Sequence, residues 1–363
     1  MKYTYNTPRQ LNTPRAWRTY LGGALIDKLH GVENAADDHF PEEWIMSVIS
    51  ARNAGREHIT DEGLAYFADE SALSLKDYVA ADPIAALGES HVAKSGAHPG
   101  VLVKLLDSSE RLTIQVHPDR QKAQELFHAP YGKTECWHIL AGRTIDGEAP
   151  CVYLGFKEGV TREKWKKLFD EQDIPGMLSC LHRYEVNVGD TILIEGGVPH
   201  AIGSGCFLVE IQEPTDYTIR VERTTPSGFA VADSACHQGL GFEAMFDCFH
   251  YDGLSREETK ARWFLPARTV SSGDNASVTT LVGYEDTKFF AMRRLLVEGE
   301  LSVHAPNFCA LYVLSGKGEL ICGDTVLPLC APQQFFVPAG CSEWTLRSAE
   351  GALEVLQFFG PEA

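Results

Sequence analysis

Three short segments of the chain carry side chains with metal-binding chemistry next to or within strand-like runs. In "LTIQVHPD", which begins at residue 112, Thr113, Gln115 and His117 alternate with apolar residues, so the polar side chains share one strand face. Glu135 directly precedes the strand-like run "CWHIL", and His200 follows the corner "GGVP". Imidazole nitrogens and carboxylate or amide oxygens are the ligands of a borderline divalent cation such as zinc. The pattern is compatible with a dispersed metal site or with a polar face open to solvent.

Charged side chains also fall inside strand-like runs further along the chain. In "CFLVEIQ", Glu210 shares a strand face with Leu208 and Gln212, and in "YTIRVER" Arg220 shares one with Thr218. A charged residue at such a position faces solvent or is directed inward toward a partner. Taken alone, Arg220 is typical of a solvated or ion-paired strand residue.

Several well-known motifs are missing from the sequence or present only as fragments. "YGKTE" at residues 131–135 contains the Gly-Lys-Thr of a phosphate-binding loop, but the glycine required five residues before Gly132 is Phe127. The sequence has no GxGxxG, HExxH or GxSxG pattern. The sequence therefore lacks the local signatures of dinucleotide-binding proteins, zincins and serine hydrolases.

The bulk composition limits the partner and the compartment. The formal net charge of -18 argues against a nucleic-acid partner or an anionic membrane, because their phosphates would be repelled. The sequence has no apolar run long enough to span a bilayer, and its first residues lack the apolar core of a secretory signal. The 10 cysteines form no CxxC pair and predict buried thiols in a reducing cytoplasm. A small-molecule partner remains compatible with all of these features.

The order of the elements indicates how the candidate residues are positioned. Residues 1–95 mix turns with helix-like stretches, and from about residue 101 short strand-like runs follow one another. A helical pattern at residues 161–180 interrupts this series. Closely spaced antiparallel strands with Gly and Pro corners favour a mainly β protein built from jelly-roll or sandwich barrels. The predicted units are a metal-binding domain with helical elements over 1–252, a connection over 253–284 and a metal-free barrel over 285–363.

A family resemblance is carried by four ordered blocks: "LVKLLDSSERLTIQVHPD", "GKTECWHIL", "GDTILIEGGVPHAIGSG" and "EIQEPTDYTIRV". In this order and spacing they resemble the type I mannose-6-phosphate isomerases in their shorter bacterial form, which are metal enzymes with the cupin fold. The resemblance covers about residues 20–222 and, more loosely, the terminal barrel. It implies two cupin-type jelly-roll barrels and one zinc ion per chain, with other divalent metals as alternatives. The implied residues are the zinc ligands Gln115, His117, Glu135 and His200, the active-site cations Lys133 and Arg220, and Lys104 and the Thr113 hydroxyl at the family's phosphate position.

The resemblance implies an enzyme that interconverts mannose 6-phosphate and fructose 6-phosphate through a cis-enediol intermediate. Such a reaction requires a base for the C2 proton and an electrophile at the oxygens, and zinc can supply the electrophile. Arg220 and Lys133 can stabilise the developing negative charge. The residues leave the base open among Glu210, a zinc-bound hydroxide and neutral Lys133. The expected partner is a small sugar phosphate, and the expected state is a monomer or a homodimer.

Three departures from the family pattern keep alternatives open. The usual serine before "QVHPD" is Thr113, the usual aromatic after "CW" is His138, and segment 222–252 replaces a short aspartate-bearing continuation. This segment leaves open an isomerase of another sugar, either phosphorylated or unphosphorylated. A cupin oxygenase that uses iron would favour a further histidine in place of Gln115. A non-catalytic sugar-binding cupin would have no need of both active-site cations.

Overall fold

Antiparallel strands make up most of the regular structure. The computed structural model describes residues 3–53, 55–273 and 275–363. Within these ranges the strands form three sheets, and short helices lie near the N-terminus and in the connections between strands. The predicted mainly β class with helical N-terminal and inserted segments is therefore confirmed. The division into two jelly-roll barrels stays a prediction.

Two of the three sheets carry the strands that build the site. The first sheet has the order β10 (Leu181–Glu185), β9 (Cys151–Phe156), β12 (His200–Ile202), β7 (Gln115–Val116) and β14 (Ile219–Arg220). The second sheet has the order β15 (Phe264–Leu265), β11 (Thr191–Ile194), β8 (Glu135–Gly142), β13 (Cys206–Gln212), β6 (Leu102–Asp107), β3 (Glu42–Ile45) and β2 (Arg15–Ala16).

The third sheet draws its strands from both ends of the chain. Its path is β16 (Arg268–Gly273), β17 (Ala276–Val282), β18 (Ala291–Val297), β23 (Glu343–Phe359), β20 (Cys309–Cys322), β22 (Gln333–Val337), β1 (Arg9–Leu11), β4 (Tyr66–Phe67) and β5 (Glu70–Ser74), with β19 (Glu300–His304) on β23 and β21 (Thr325–Cys330) on β20. The first and last parts of the chain thus share one hydrogen-bonded sheet. The unit boundaries at 252 and 285, and the metal-free character of the last unit, stay predictions.

The helices are short and mostly begin at residues that can cap them. They are α1 (Ala24–Leu29), α2 (Leu75–Ala81), α3 (Pro83–Leu87), α4 (Glu89–Ser95), α5 (Arg120–Phe127), α6 (Arg162–Glu171), α7 (Ile174–Ser179), α8 (Asp233–His237) and α9 (Arg256–Trp263), with a 3-10 helix at Ala244–Cys248. The Thr161 side chain accepts a hydrogen bond from the Lys164 backbone N–H and so caps α6. The helical insertion predicted at 161–180 forms two helices, because Asp173 caps a new helix just before Pro175.

Alternation along the strands directs the candidate residues into one interior space. In β7, Val116 packs in the core that contains Trp165 of α6, so Gln115 faces the opposite side, between the first and second sheets. In β13, Val209 packs in the core shared with the third sheet, which directs Glu210 into the same space from the other side. The candidate polar face is buried, and its alternative assignment to solvent is wrong.

Two further features bear on the expectations from composition. Cys322 and Cys341 form a disulfide with Cα atoms 6.6 Å apart, and Cys330 is an exposed thiol. The expectation of buried thiols is wrong for these cysteines and correct for the remaining ones. Among the helices of the described residues, none is long and apolar enough to cross a membrane.

Gln334 joins the third sheet to the second, and its removal tests that junction. Its Oε1 accepts from the Met46 backbone N–H at 2.8 Å, and its Nε2 donates to the carbonyls of Asn12 and Trp44 at 2.6 and 3.1 Å. We expect Gln334→Ala to lower the free energy of unfolding by about 3 kcal/mol, because several buried backbone groups lose their partner. Gln333→Ala is the matched control, since among the described residues its side chain accepts a single hydrogen bond, from the Cys330 N–H, and a loss of about 1 kcal/mol is expected there. Urea denaturation measures both, and equal losses would contradict this role.

Candidate active site

His117, Glu135 and His200 converge in the space between the first and second sheets. Their ligand atoms all lie within 4.8 Å of one another, and the three side chains are buried. Glu135 Oε2 lies 3.2 Å from His117 Nε2, and Glu135 Oε1 lies 3.4 Å from His200 Nε2. The Gln115 amide lies 3.2 Å from His200 Nε2, so the structure brings together all the side chains predicted as ligands.

Glycines allow the loops that carry these residues to approach one another closely. A Cβ on Gly132 would lie 2.7 Å from the Asp119 carbonyl carbon, and one on Gly196 would lie 2.6 Å from the Asp119 Cα. Gly197 has φ +89°, and its N–H donates to the His117 carbonyl at 2.8 Å. The corner "GGVP" and the segment "YGKTE" therefore both pack against the turn that follows His117.

Backbone carbonyls fix which nitrogen of each imidazole faces the cluster. His117 Nδ1 lies 2.8 Å from the Tyr217 carbonyl, and His200 Nδ1 lies 2.8 Å from the Val198 carbonyl. A carbonyl accepts only from a protonated nitrogen, so each neutral ring directs the lone pair of Nε2 toward Glu135. Burial lowers the pKa of His117 to about 4, with a further contribution from the Lys133 ammonium, and burial also lowers the pKa of His200. Both rings are neutral at pH 7, as metal ligands must be.

Glu135 supplies the negative charge of the cluster. Burial alone would raise its pKa, but Lys133 and the two imidazoles hold the pKa of Glu135 well below its usual range. Lys133 Nζ lies 3.0 Å from Glu135 Oε2 and 3.0 Å from His117 Nε2. These are ion-pair distances, yet neither carboxylate oxygen accepts a hydrogen bond of acceptable geometry. A buried carboxylate of this kind, beside two inward Nε2 lone pairs and an amide, fits a divalent cation such as zinc.

The remaining predicted residues line a small cavity next to the cluster. This cavity of about 60 Å³ lies on the side of Gln115 and Lys133. Its walls also include Lys104, Thr113, Glu210 and Arg220. Every residue predicted for the site therefore belongs to the cluster or to this cavity. The individual roles assigned to them stay predictions.

Lys104 is enclosed by carboxylates. Its Nζ lies 3.2 Å from Glu210 Oε1 and 3.9 Å from Glu42 Oε2, and the side chain is 3% exposed. Burial favours the neutral amine, but Glu210 and Glu42 outweigh this effect and raise the pKa of Lys104. The Trp137 indole donates to Glu210 Oε2 at 3.1 Å, so Glu210 is held from both sides. Lys104 and Trp137 together orient the Glu210 carboxylate toward the cavity.

Arg18, Glu42 and Asp216 belong to the same charged group, and the sequence did not reveal them. Arg18 Nε lies 2.9 Å from Glu42 Oε2, and its Nη1 lies 3.4 Å from Asp216 Oδ2. Burial favours the neutral acid, yet Arg18, Lys104 and Lys133 lower the pKa of Asp216 to about 2. Asp216 stands in "TDYTIR", four residues before Arg220, which was the available signal. Arg18 lies in a loop 198 residues from Asp216, and its sequence neighbours gave no signal of this contact.

Arg220 is held by the backbone and keeps donors free. Its Nη1 donates to the Ala235 carbonyl of α8 at 3.0 Å and to the Thr218 carbonyl at 3.3 Å. Within the described residues, its Nη2 and Nε have no protein acceptor. Arg220 pairs in register with Gln115 across β14 and β7, and both side chains line the cavity. Arg220 therefore lies next to one of the predicted metal ligands.

Comparisons with known proteins support the resemblance that the sequence predicts. A family model described as phosphomannose isomerase type I, catalytic domain, matches residues 60–134. The probable mannose-6-phosphate isomerase GmuF of Bacillus subtilis is 27% identical over 257 residues, which cover 70% of this chain and 73% of GmuF. The predicted resemblance to the type I mannose-6-phosphate isomerases is confirmed.

Solved structures match almost the whole chain. The mannose 6-phosphate isomerase from Bacillus subtilis superposes with a TM-score of 0.73 at 22% identity, covering 97% of this chain and 99% of that one. A zinc-bound mannose 6-phosphate isomerase superposes with a TM-score of 0.71 at 15% identity, covering 98% and 100%. At these identities the structural matches establish the fold.

Metal content tests the ligand assignment. We expect the protein to bind about one divalent ion per chain and His117→Ala and His200→Ala each to lose it, because either change removes an inward Nε2. His138→Ala is the matched control: this buried histidine bonds Thr191 Oγ1 at 2.9 Å instead of facing the cluster. Elemental analysis of folded protein measures the content. A full metal equivalent in either ligand variant would contradict the assignment.

His138 also predicts how stability depends on pH. Burial, with Arg294 nearby, lowers the pKa of His138 from 6.5 to about 4, so the folded state favours the neutral ring. The unfolded chain binds a proton first as the pH falls, and the stabilisation present above pH 6.5 is lost on approaching pH 4. We expect the wild type to lose about 3 kcal/mol more than His138→Phe between pH 7 and pH 4. Urea denaturation at each pH measures this, and parallel curves would contradict it.

Proposed function

We propose that this chain is a zinc-dependent mannose-6-phosphate isomerase, which interconverts mannose 6-phosphate and fructose 6-phosphate through a cis-enediol intermediate. One observation carries the proposal: a buried cluster of two histidines and a glutamate borders a cavity that also contains two cations, Lys133 and Arg220. The names of the matching relatives and solved structures favour mannose 6-phosphate as the substrate.

The cluster determines where the reacting end of the sugar lies. When bound by Gln115, His117, Glu135 and His200, zinc supplies a Lewis acid for the oxygens on C1 and C2. Those side chains are fixed by backbone carbonyls and by one another, so little rearrangement is needed. The cavity walls exclude all but a few atoms from this end, which keeps the reacting carbons away from bulk water.

Isomerisation moves one proton from C2 to C1 and leaves negative charge on the enediolate oxygens in between. Three carboxylates line the cavity wall, and Glu210 and Asp216 are the two that can accept this proton and return it. The third, Glu42, is held by Arg18, Tyr20 and Trp44. Glu210 is oriented by Trp137 and Lys104, and Asp216 by Arg18. Arg220 donates from its free nitrogens to the enediolate oxygens, and Lys133 adds a second positive charge beside Glu135.

The competing functions are less well supported. Within the described residues the cluster offers two imidazoles, Glu135 and Gln115, whereas an iron-dependent oxygenase favours further histidine. A non-catalytic sugar-binding protein would not require Lys133 and Arg220 beside the metal site. The cytoplasmic location and the monomeric or homodimeric state stay predictions.

Isotope transfer tests the reaction itself. The metal-loaded protein, incubated with mannose 6-phosphate in deuterium oxide, is expected to give fructose 6-phosphate with deuterium at C1 in part of the product, because the carboxylate that takes the C2 proton can exchange it with solvent before returning a proton to C1. NMR measures the label. Full turnover with no label at C1 would contradict a proton-transferring base that exchanges with solvent, and no turnover would contradict the proposed function.

Replacement of Arg220 tests its role in charge stabilisation. We expect Arg220→Ala to lower kcat by about two to three orders of magnitude with little change in KM, because the enediolate charge exists only beyond the ground state. Arg223→Ala is the matched control, since Arg223 stacks on Phe242 with its guanidinium carbon 4.5 Å from the ring centroid and lines no part of the cavity. Steady-state kinetics on mannose 6-phosphate measures both. A near-normal kcat for Arg220→Ala would show that it is only a structural strand residue.

A further inference from the structure

The cavity beside the metal cluster is too small for a whole sugar phosphate. Its volume is about 60 Å³, whereas sites for small organic ligands typically enclose about 300–1,000 Å³. A cleft of about 800 Å³ adjoins it, and the two share Thr19, Asn53, Asp216 and Arg220 as walls. A substrate that places C1 and C2 at the cluster therefore has room for its other end only in the cleft.

Carboxylates make the Lys104 end of the cavity unfavourable for a phosphate. Lys104 already lies 3.2 Å from Glu210, and the neighbouring Arg18 lies 2.9 Å from Glu42 and 3.4 Å from Asp216. A phosphate dianion there would meet these carboxylates as well as the two cations. Like charges at contact distance oppose binding and favour a position elsewhere.

Among the described residues, the cleft offers a cation that forms no ion pair with a carboxylate. Arg52 is exposed and lines the cleft. In the described residues of this region, the ion pairs to carboxylates involve Arg18 and Arg56 instead of Arg52. Glu57 also lines the cleft, but its Oε1 already accepts the Gly55 backbone N–H at 2.9 Å. The Arg52 guanidinium is thus available for bidentate contact with a phosphate.

Segment 222–252 builds the opposite wall of the cleft. Phe229, Val231 and Ala235 of this segment line the cleft. Phe229 is fixed by contacts with Trp17 and His39, whose ring centroids each lie 5.8 Å from its own. The wall is therefore mainly apolar and rigid, which leaves the loop that carries Arg52 as the polar side of the cleft.

We propose that Arg52 binds the phosphate of the substrate in this cleft, at the end remote from the metal cluster. The proposal rests on the proposed function and deepens it, because it gives the substrate one direction: C1 and C2 at the cluster, the ring past Arg220, and the phosphate beside Arg52. Arg52 is then a specificity residue that distinguishes phosphorylated from free mannose. It replaces Lys104 in that role, and Lys104 instead orients Glu210.

Kinetics on two substrates test this assignment. Arg52→Ala is expected to raise KM for mannose 6-phosphate about tenfold with kcat unchanged, and to leave kcat/KM for mannose unchanged, because a charge-assisted hydrogen bond to a remote group is the same in ground and transition states. Arg56→Ala is the matched control from the same loop, and it is expected to leave both KM values unchanged. Calorimetric titration with inorganic phosphate should show a similar tenfold weakening in Arg52→Ala only.

The outcomes separate the two proposals. A wild-type protein inactive on mannose 6-phosphate would overturn the proposed function. An active wild type with an unchanged KM and unchanged phosphate affinity in Arg52→Ala would overturn only the assignment of Arg52. A KM increase restricted to mannose 6-phosphate in Lys104→Met, and absent in Arg52→Ala, would place the phosphate at Lys104. That result would also overturn the assignment of Arg52.

Discussion

The charge of one buried carboxylate, Glu135, determines the arrangement of the site. An ionised carboxylate taken out of water is tolerated only beside cations or a metal. Glu135 extends from the second sheet, His200 comes from the first and His117 directly follows β7 of the first, while Lys133 approaches from the loop before β8. The electrostatic requirement of one side chain therefore ties two sheets and a loop together at a single point.

Around this point the other charges are arranged in pairs that hold one another. Glu42 accepts from the Tyr20 hydroxyl and the Trp44 indole and also contacts Arg18, so two aromatic donors fix the carboxylate that pairs with Arg18. Glu42 contacts both Arg18 and Lys104, and Lys104 in turn contacts Glu210. Glu210 is thereby held in the wall of the cavity. A rigid position for Glu210 is what a proton-transferring group requires, since its distance to the reacting carbons must be kept within a fraction of an ångström.

Much of this arrangement could be predicted from local patterns, and the rest could not for definite physical reasons. Strict alternation in "LTIQVHPD" and "CFLVEIQ" was enough to place Gln115 on one face with Thr113 and Glu210 opposite Val209, because side-chain direction in a strand depends only on the parity of the position. Alternation left open whether those faces were interior, since that depends on which other strands cover them. The partners of Arg18 depend on contacts across 198 residues, which no local pattern encodes. For the same reason the sequence did not reveal that β1 and β4 from the N-terminal region complete the third sheet with β22.

The contact between Arg220 and the Ala235 carbonyl has a consequence for how such a protein changes over evolutionary time. The metal-binding side chains lie on or directly beside strands of the first and second sheets, outside segment 222–252. Arg220, in contrast, depends on a carbonyl supplied by segment 222–252, which is also a wall of the cleft. An exchange of that segment between homologues would therefore alter substrate preference and turnover in a single step, so the two properties are inherited together.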